Sequence, residues 1–217
     1  MRDEGPTNHS RFKAVVIGVS SGGIKALSKL FSLIAKSFDL PIIVVQHLHA
    51  SADVNLAEIL NGKALLTVKE ADEKEQISPG IIYIAPANYH LLIEADETFS
   101  LSIDKPVSYS RPSIDVLFES AAHVWSHRLI GIILTGANMD GAEGIRFIKD
   151  HGGLTIAQDP TTAEVPMMPQ EAINTGKVDK ILTLDGISNF LNSLESTQGE
   201  VLTNEPSTAK NQSRILD

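Results

Sequence analysis

Ser20 sits in Ile17-Gly18-Val19-Ser20-Ser21-Gly22-Gly23, a Gly-x-Ser-x-Gly pattern between a short apolar run and a helical stripe. Glycines on both sides of a serine allow a sharp strand-to-helix turn with the hydroxyl at its tip, which is how a nucleophile is presented. Such a turn also aims amide hydrogens, that of Ser21 first, and the positive end of the following helix at the place where an oxyanion gathers charge. A serine is a poor nucleophile until a neighbouring base takes its proton. His47 lies 27 residues further on, at the end of the next apolar run. An imidazole, with an ordinary pKa near 6.5, suits proton transfer around neutral pH, so activity should fall in acid as the ring is protonated. Asp140, in Thr135-Gly136-Ala137-Asn138-Met139-Asp140-Gly141, follows a third apolar run. Two readings of it stay open: an N-cap of the helix that begins there, or the carboxylate that holds the imidazole in one tautomer. Hydroxyl, imidazole and carboxylate thus arrive from three separate strand ends.

Other chemistries compete for the same residues. A glycine-rich turn before a helix can cradle a phosphate, so Gly18–Gly23 also reads as the loop of a nucleotide- or phosphate-binding module. The Gly-Lys-Ser/Thr of a P-loop is missing, because Ile24 and Lys25 follow Gly23. A dinucleotide loop would need glycine where Ser20 stands and an acidic residue where Gln46-His47 ends the second run. A plain turn without chemistry is the remaining alternative. His47, His49 and Asp140 form a conceivable metal set, but no HExxH pattern or second clustered carboxylate supports one. Neither a metal nor a cofactor is expected. His9, His90, His123, His127 and His151 have no comparable placement and read as structural or exposed.

The elements that must hold these residues alternate between strand and helix. Ala14–Ile17, Pro41–Val45, Ala64–Val68, Ile81–Ala85, Leu129–Leu134 and Leu154–Ala157 are continuous apolar runs, as in strands covered on both faces. Helical stripes cover Ile24–Phe38, Ser113–Trp125 with Ser113 as N-cap, Gly141–Lys149 before Gly152-Gly153, and Ile187–Leu194. Tyr89–Glu94 and Thr98–Ile103 alternate and suggest an antiparallel hairpin. The expected fold is α/β: a three-layer α/β/α arrangement around a mostly parallel, doubly wound sheet, with the hairpin near residues 89–103. Ligands of such sheets bind beyond the carboxyl ends of the strands, where Ser20, His47 and Asp140 are all placed. The segments divide as a disordered 1–12, a catalytic domain over 13–194, and a flexible tail or linker over 195–217.

Composition narrows the function classes. The chain has 217 residues, 42% hydrophobic and 21% charged, which is ordinary globular composition. It contains no cysteine, so disulfides, thiolate metal sites and a cysteine nucleophile are excluded together. No apolar run approaches the roughly 18–20 residues of a membrane span, and the polar start lacks a secretory h-region, which makes the cytoplasm the expected location. Eighteen basic against twenty-seven acidic residues leave a net charge of −9, unfavourable for nucleic acid or anionic lipid.

The order nucleophile, histidine, acid differs from that of α/β-hydrolases, where the acid precedes the histidine. The chain resembles the catalytic domain of the CheB-type chemotaxis protein-glutamate methylesterases from about residue 13 to 194. The resemblance rests on an ordered set: Ile17–Gly23, Gln46-His47-Leu48, Ser78-Pro79-Gly80 with Tyr83-Ile84-Ala85-Pro86, Arg111-Pro112-Ser113-Ile114-Asp115, Gly131–Gly136, Asp140-Gly141 and Pro169-Gln170-Glu171-Ala172-Ile173. It implies Ser20 as nucleophile, His47 as general base and acid, Asp140 as its orienter, and the Ala137 amide as an oxyanion donor beside that of Ser21. It also implies hydrolysis of γ-glutamyl methyl esters to glutamate and methanol on the cytoplasmic helices of methylated chemoreceptors, extending to deamidation of particular receptor glutamines.

The departures from the family pattern are specific. Thr-Gly-Met-Gly-x-Asp-Gly becomes Thr135-Gly136-Ala137-Asn138-Met139-Asp140-Gly141, and the asparagine is expected to tolerate the left-handed backbone of a turn glycine. Gln170 stands where the family commonly has arginine, which weakens any cation-dependent docking. A catalytically silent receptor-binding homologue is therefore a further alternative. Two-domain members carry a phosphorylatable receiver of about 120 residues, whereas about a dozen residues precede the first strand here. Regulation is accordingly expected from a separate protein or domain, or not at all. Receptor methylation regions are acidic, so a local cation must aid docking. Arg111 is the candidate for substrate binding, while Lys25 and Lys29 read as solvated surface charges.

Overall fold

Nine short strands form two sheets in the computed structural model, which describes residues 11–47 and 55–196. The strands are β1 (Ala14–Val19), β2 (Ile42–Gln46), β3 (Thr67–Glu70), β4 (Ile81–Ile84), β5 (His90–Ile93), β6 (Phe99–Ser102), β7 (Leu129–Ile133), β8 (Leu154–Gln158) and β9 (Lys180–Leu182). Seven pair in parallel in the order β3-β4-β2-β1-β7-β8-β9, and β5 and β6 form the expected antiparallel hairpin. The helices are α1 (Gly23–Leu33), α2 (Leu56–Asn61), α3 (Ile114–Trp125), α4 (Ala142–Asp150), α5 (Met167–Asn174) and α6 (Leu184–Ser196).

Continuous apolar strands pack on both faces because successive side chains point to opposite sides. Val15 and Ile17 of β1 belong to one core cluster with Leu27 and Phe31 of α1, Leu60 of α2 and Leu191 of α6. Ala14 and Val16 belong to the other, with Leu117 and Phe118 of α3, Ile145 of α4, Ala172 of α5 and Phe99 of the hairpin. The sheet thus lies between two helical layers, as the residue pattern implies.

The chain leaves β1 toward β2 on one side and later returns with β7 on the other, which places the switch in strand order at the carboxyl end of β1. That is where crevices open in sheets of this type. Gly18 lets the start of α3 pack closely on this end of β1. A Cβ on Gly18 would lie 2.4 Å from Ile114 Cγ2 at the start of α3 and 3.0 Å from Ile133 Cδ1. Gly18→Ala is therefore expected to force α3 outward and cost about 1–3 kcal/mol. Thermal unfolding should register this as a fall in Tm of roughly 3–10 °C.

Several boundaries differ from the sequence expectation. α1 ends at Leu33 although Ile34 and Phe38 continue its stripe; both are buried, Ile34 as an extended cap and Phe38 from the loop beyond. The run at Ala64–Val68 becomes strand only from Thr67, because Lys63 and Ala64 donate back to Leu60 and close α2. The sequence pattern does not predict α2, α5 or β9. Phe12, assigned to the leading segment, is 6% exposed and part of the core, and α6 continues through Ser196. Residues 1–10, His49 and residues 197–217 lie outside the described residues. Among the described residues, no helix is long and apolar enough to cross a membrane.

Candidate active site

Ser20 and His47 each stand one residue past the parallel pair Val19↔Gln46, so register alone puts them side by side. The loops are stitched at that point: His47 donates its N–H to Val19 O at 3.1 Å, and Ser20 donates to Thr135 O at 3.0 Å. Gln46 adds a clamp. Its Nε2 donates to Ser20 O at 2.9 Å and to His47 O at 2.8 Å, tying the carbonyls of both residues to one side chain. Gly23 leaves room for that clamp, since a Cβ there would lie 1.9 Å from Gln46 Oε1.

His47 is brought together with Asp140. The Nε2 of His47 is 2.8 Å from Asp140 Oδ2; the imidazole is 11% exposed and the carboxylate fully buried. A buried carboxylate must be compensated by donors, and here α3 supplies them. Asp140 Oδ1 accepts from the Ser113 hydroxyl at 2.9 Å and from Asp115 N–H at 3.0 Å, while Oδ2 accepts from Ile114 N–H at 2.8 Å. Of the two readings of Asp140, the cap of the helix following it does not hold: Gly141 is the N-cap of α4, and Asp140 sits on the N-terminus of α3, whose amides point at it. Asp115 returns the arrangement, accepting from Gly141 N–H at 2.9 Å and Gly144 N–H at 2.7 Å. Each of the two helix starts is therefore capped by a carboxylate from the other.

The two carboxylates titrate in opposite directions. Burial pushes Asp140 upward, but the His47 hydrogen bond and the amides of Asp115 and Ile114 outweigh it and hold the group below its ordinary value. Asp115 is pushed up to about 7, first by burial and then by the neighbouring Asp140 charge. Between roughly pH 4 and 7 the folded protein keeps a proton on Asp115 that the unfolded chain has released, so stability falls as pH rises through that window. Asp140 contributes in the other sense: its stabilisation is present above about pH 4 and is lost on acidification. Asp115→Asn, which keeps an acceptor for Gly141 and Gly144, should remove the downward slope. Denaturant unfolding at pH 5 and pH 8 should show a difference between wild type and variant that changes by about 1–3 kcal/mol across the window.

The remaining candidates divide. Among the described residues the amides of Ser21 and Ala137 donate to no group, and both residues are exposed. Asn138 is not in the left-handed region; the positive-φ residue of that turn is Gly141, at 99°. The asparagine side chain instead reaches the imidazole, with Nδ2 3.1 Å from His47 Nδ1. Arg111 turns back on its own loop: Nη1 donates to Ile103 O at 2.7 Å and Asp104 O at 3.0 Å. Lys25 faces Glu164 at 3.7 Å and Lys29 pairs with Asp185, both at the surface where such pairs contribute little. Glu164 also packs against Gly22, so a carboxylate borders the α1 N-terminus where a bound phosphate would sit. Gln170 is exposed and bonded to Asn174 of its own helix.

Sequence reasoning missed Gln46 as a clamp, Asp115 as a partner of the acid, and His90. That histidine is 2% exposed; its Nδ1 accepts from Ser113 N–H at 3.2 Å and its Nε2 donates to Lys105 O at 3.1 Å, which fixes the residue that bonds Asp140. Ser113 was legible as a cap; nothing in the spacing reveals the others.

Known proteins share this arrangement of elements. The crystal structure of the Thermotoga maritima CheB methylesterase catalytic domain superposes with a TM-score of 0.81 at 36% identity, covering 84% of this chain and 98% of that one. A Leptospira interrogans relative is 49% identical over 189 residues, covering 87% of this chain and 98% of the relative. A Clostridium acetobutylicum protein named protein-glutamate methylesterase/protein-glutamine glutaminase is 35% identical over 188 residues, but the chain spans only 54% of its length. The family described as CheB methylesterase matches residues 15–191, and the chain belongs to it.

Proposed function

We propose that this chain is a serine esterase that hydrolyses γ-glutamyl methyl esters of chemoreceptor helices, with Ser20 as nucleophile, His47 as base and Asp140 as its orienter. The observation that carries the reading is the His47–Asp140 pair: a fully buried carboxylate 2.8 Å from an imidazole nitrogen, beside the turn that presents Ser20. Because Asp140 faces Nε2, the nitrogen that serves Ser20 is Nδ1.

Ser20 Oγ attacks the ester carbonyl carbon and its proton passes to His47 Nδ1. Charge collects on the carbonyl oxygen, where the Ser21 and Ala137 amides are the available donors. Asp140 balances the imidazolium. Collapse of the adduct breaks the bond to methoxide, which takes the proton from Nδ1 and leaves as methanol. Water, deprotonated by the same nitrogen, then releases glutamate and restores Ser20. A glutamine side chain enters the same sequence with ammonia as leaving group. Arg111 offers to an acidic substrate only those donors not already bonded to residues 103 and 104.

The test is methanol release from receptor membranes carrying methylated glutamates. Release above the buffer blank is expected; a blank-level signal on several methylated receptors would reject the assignment.

A further inference from the structure

Ser20 Oγ makes no hydrogen bond among the described residues, while the His47 nitrogen it needs faces the amide of Asn138 at 3.1 Å. The orientation of that amide is fixed from its other end. Asn138 Oδ1 accepts the N–H of Asp140 at 3.2 Å, so the group turned to the ring is the NH2. An NH2 facing Nδ1 requires a bare lone pair there, which puts the ring proton on Nε2, where Asp140 Oδ2 accepts it at 2.8 Å. This is the tautomer able to take a proton from Ser20. The backbone at position 138 places no demand for asparagine, since its φ is negative. What the residue adds is its side-chain amide.

We infer that Asn138 is a positioning residue that gates His47: its amide holds the ring in the competent tautomer and occupies Nδ1 until the Ser20 hydroxyl displaces it. The inference rests on the roles proposed above for Ser20 and His47. Two donors compete for one lone pair, and a neutral hydrogen bond of ordinary net strength shifts such a competition roughly two- to tenfold. Asp140, bonded at Nε2, and Asp115, beside Asp140 from α3, are the ionisable groups around this pair; among the described residues no other ionisable side chain bonds the ring.

The test is the rate of covalent labelling of Ser20 by a fluorophosphonate, followed by intact mass from pH 5 to 9. It compares wild type, Asn138→Ala and Asn138→Asp. Asn138→Ala is expected to label roughly three- to tenfold faster at neutral pH. Asn138→Asp should label more slowly than wild type, because a carboxylate can only accept and so draws a proton onto Nδ1. Equal or slower labelling of Asn138→Ala, with Ser20 still the modified residue, overturns the gate and leaves the nucleophile standing. Labelling that survives in Ser20→Ala removes the nucleophile and the gate together.

Discussion

Replacing Ser20 by alanine is expected to lower methanol release from methylated receptor membranes by about 10^4- to 10^6-fold, to the level left by binding alone. Among the described residues the half-buried serine makes no hydrogen bond through its side chain, and the turn that carries it is kept by main-chain contacts to Thr135 and by the Gln46 clamp. The variant should therefore fold as the wild type does. Unchanged Tm alongside lost turnover is the combined signature. A Ser20→Ala protein that releases methanol at a rate near wild type would show that another group performs the attack.

Asp140→Asn should lose both turnover and stability, and the reason is a count of donors. Each carboxylate oxygen meets two: Ser113 Oγ and Asp115 N at Oδ1, Ile114 N and His47 Nε2 at Oδ2. An asparagine must turn its NH2 toward one of these pairs, whichever rotamer it adopts. One choice leaves His47 facing a donor, which favours the wrong tautomer; the other leaves Ser113 and Asp115 unmet in a buried site. Turnover is expected to fall about 10^3- to 10^4-fold, as for the loss of an orienting carboxylate in a serine triad. Unpaired buried donors cost about 1–3 kcal/mol, or roughly 3–10 °C in Tm for a domain of this size. Kinetics and calorimetry on the same preparation check both halves. A variant that loses activity with no change in Tm would contradict the donor count.

The parts of this molecule legible in its sequence are those whose causes are local. β1, β2, β7 and β8 are buried on both faces and read as unbroken apolar runs, while α3 and α4 show their stripes and stops. β9 is three residues long with two of them exposed, too short for any period to register. α5 opens in Pro166-Met167-Met168-Pro169, where two prolines suggest a loop although proline is compatible with a first helical turn. The three residues proposed for catalysis were visible because each follows a strand. Their settings were not. The side chain bonded to Asp140 oxygens from position 113, the Arg111 bonds to residues 103 and 104, and the reach of Asn138 to the imidazole all depend on how separate loops face one another. In the sequence Asn138 is a departure in backbone chemistry, whereas in the fold its consequence lies in its amide.

The mutual exchange of carboxylates between the starts of α3 and α4 bears on any attempt to move this chemistry elsewhere. Transplanting the Thr135–Gly141 loop into another scaffold would carry the acid but not the amides of residues 114 and 115 that keep it ionised out of solvent. The portable unit is the pair of helices, with Asp115 and its counterpart travelling together, because the amides at each helix start donate to an acid group carried by the other.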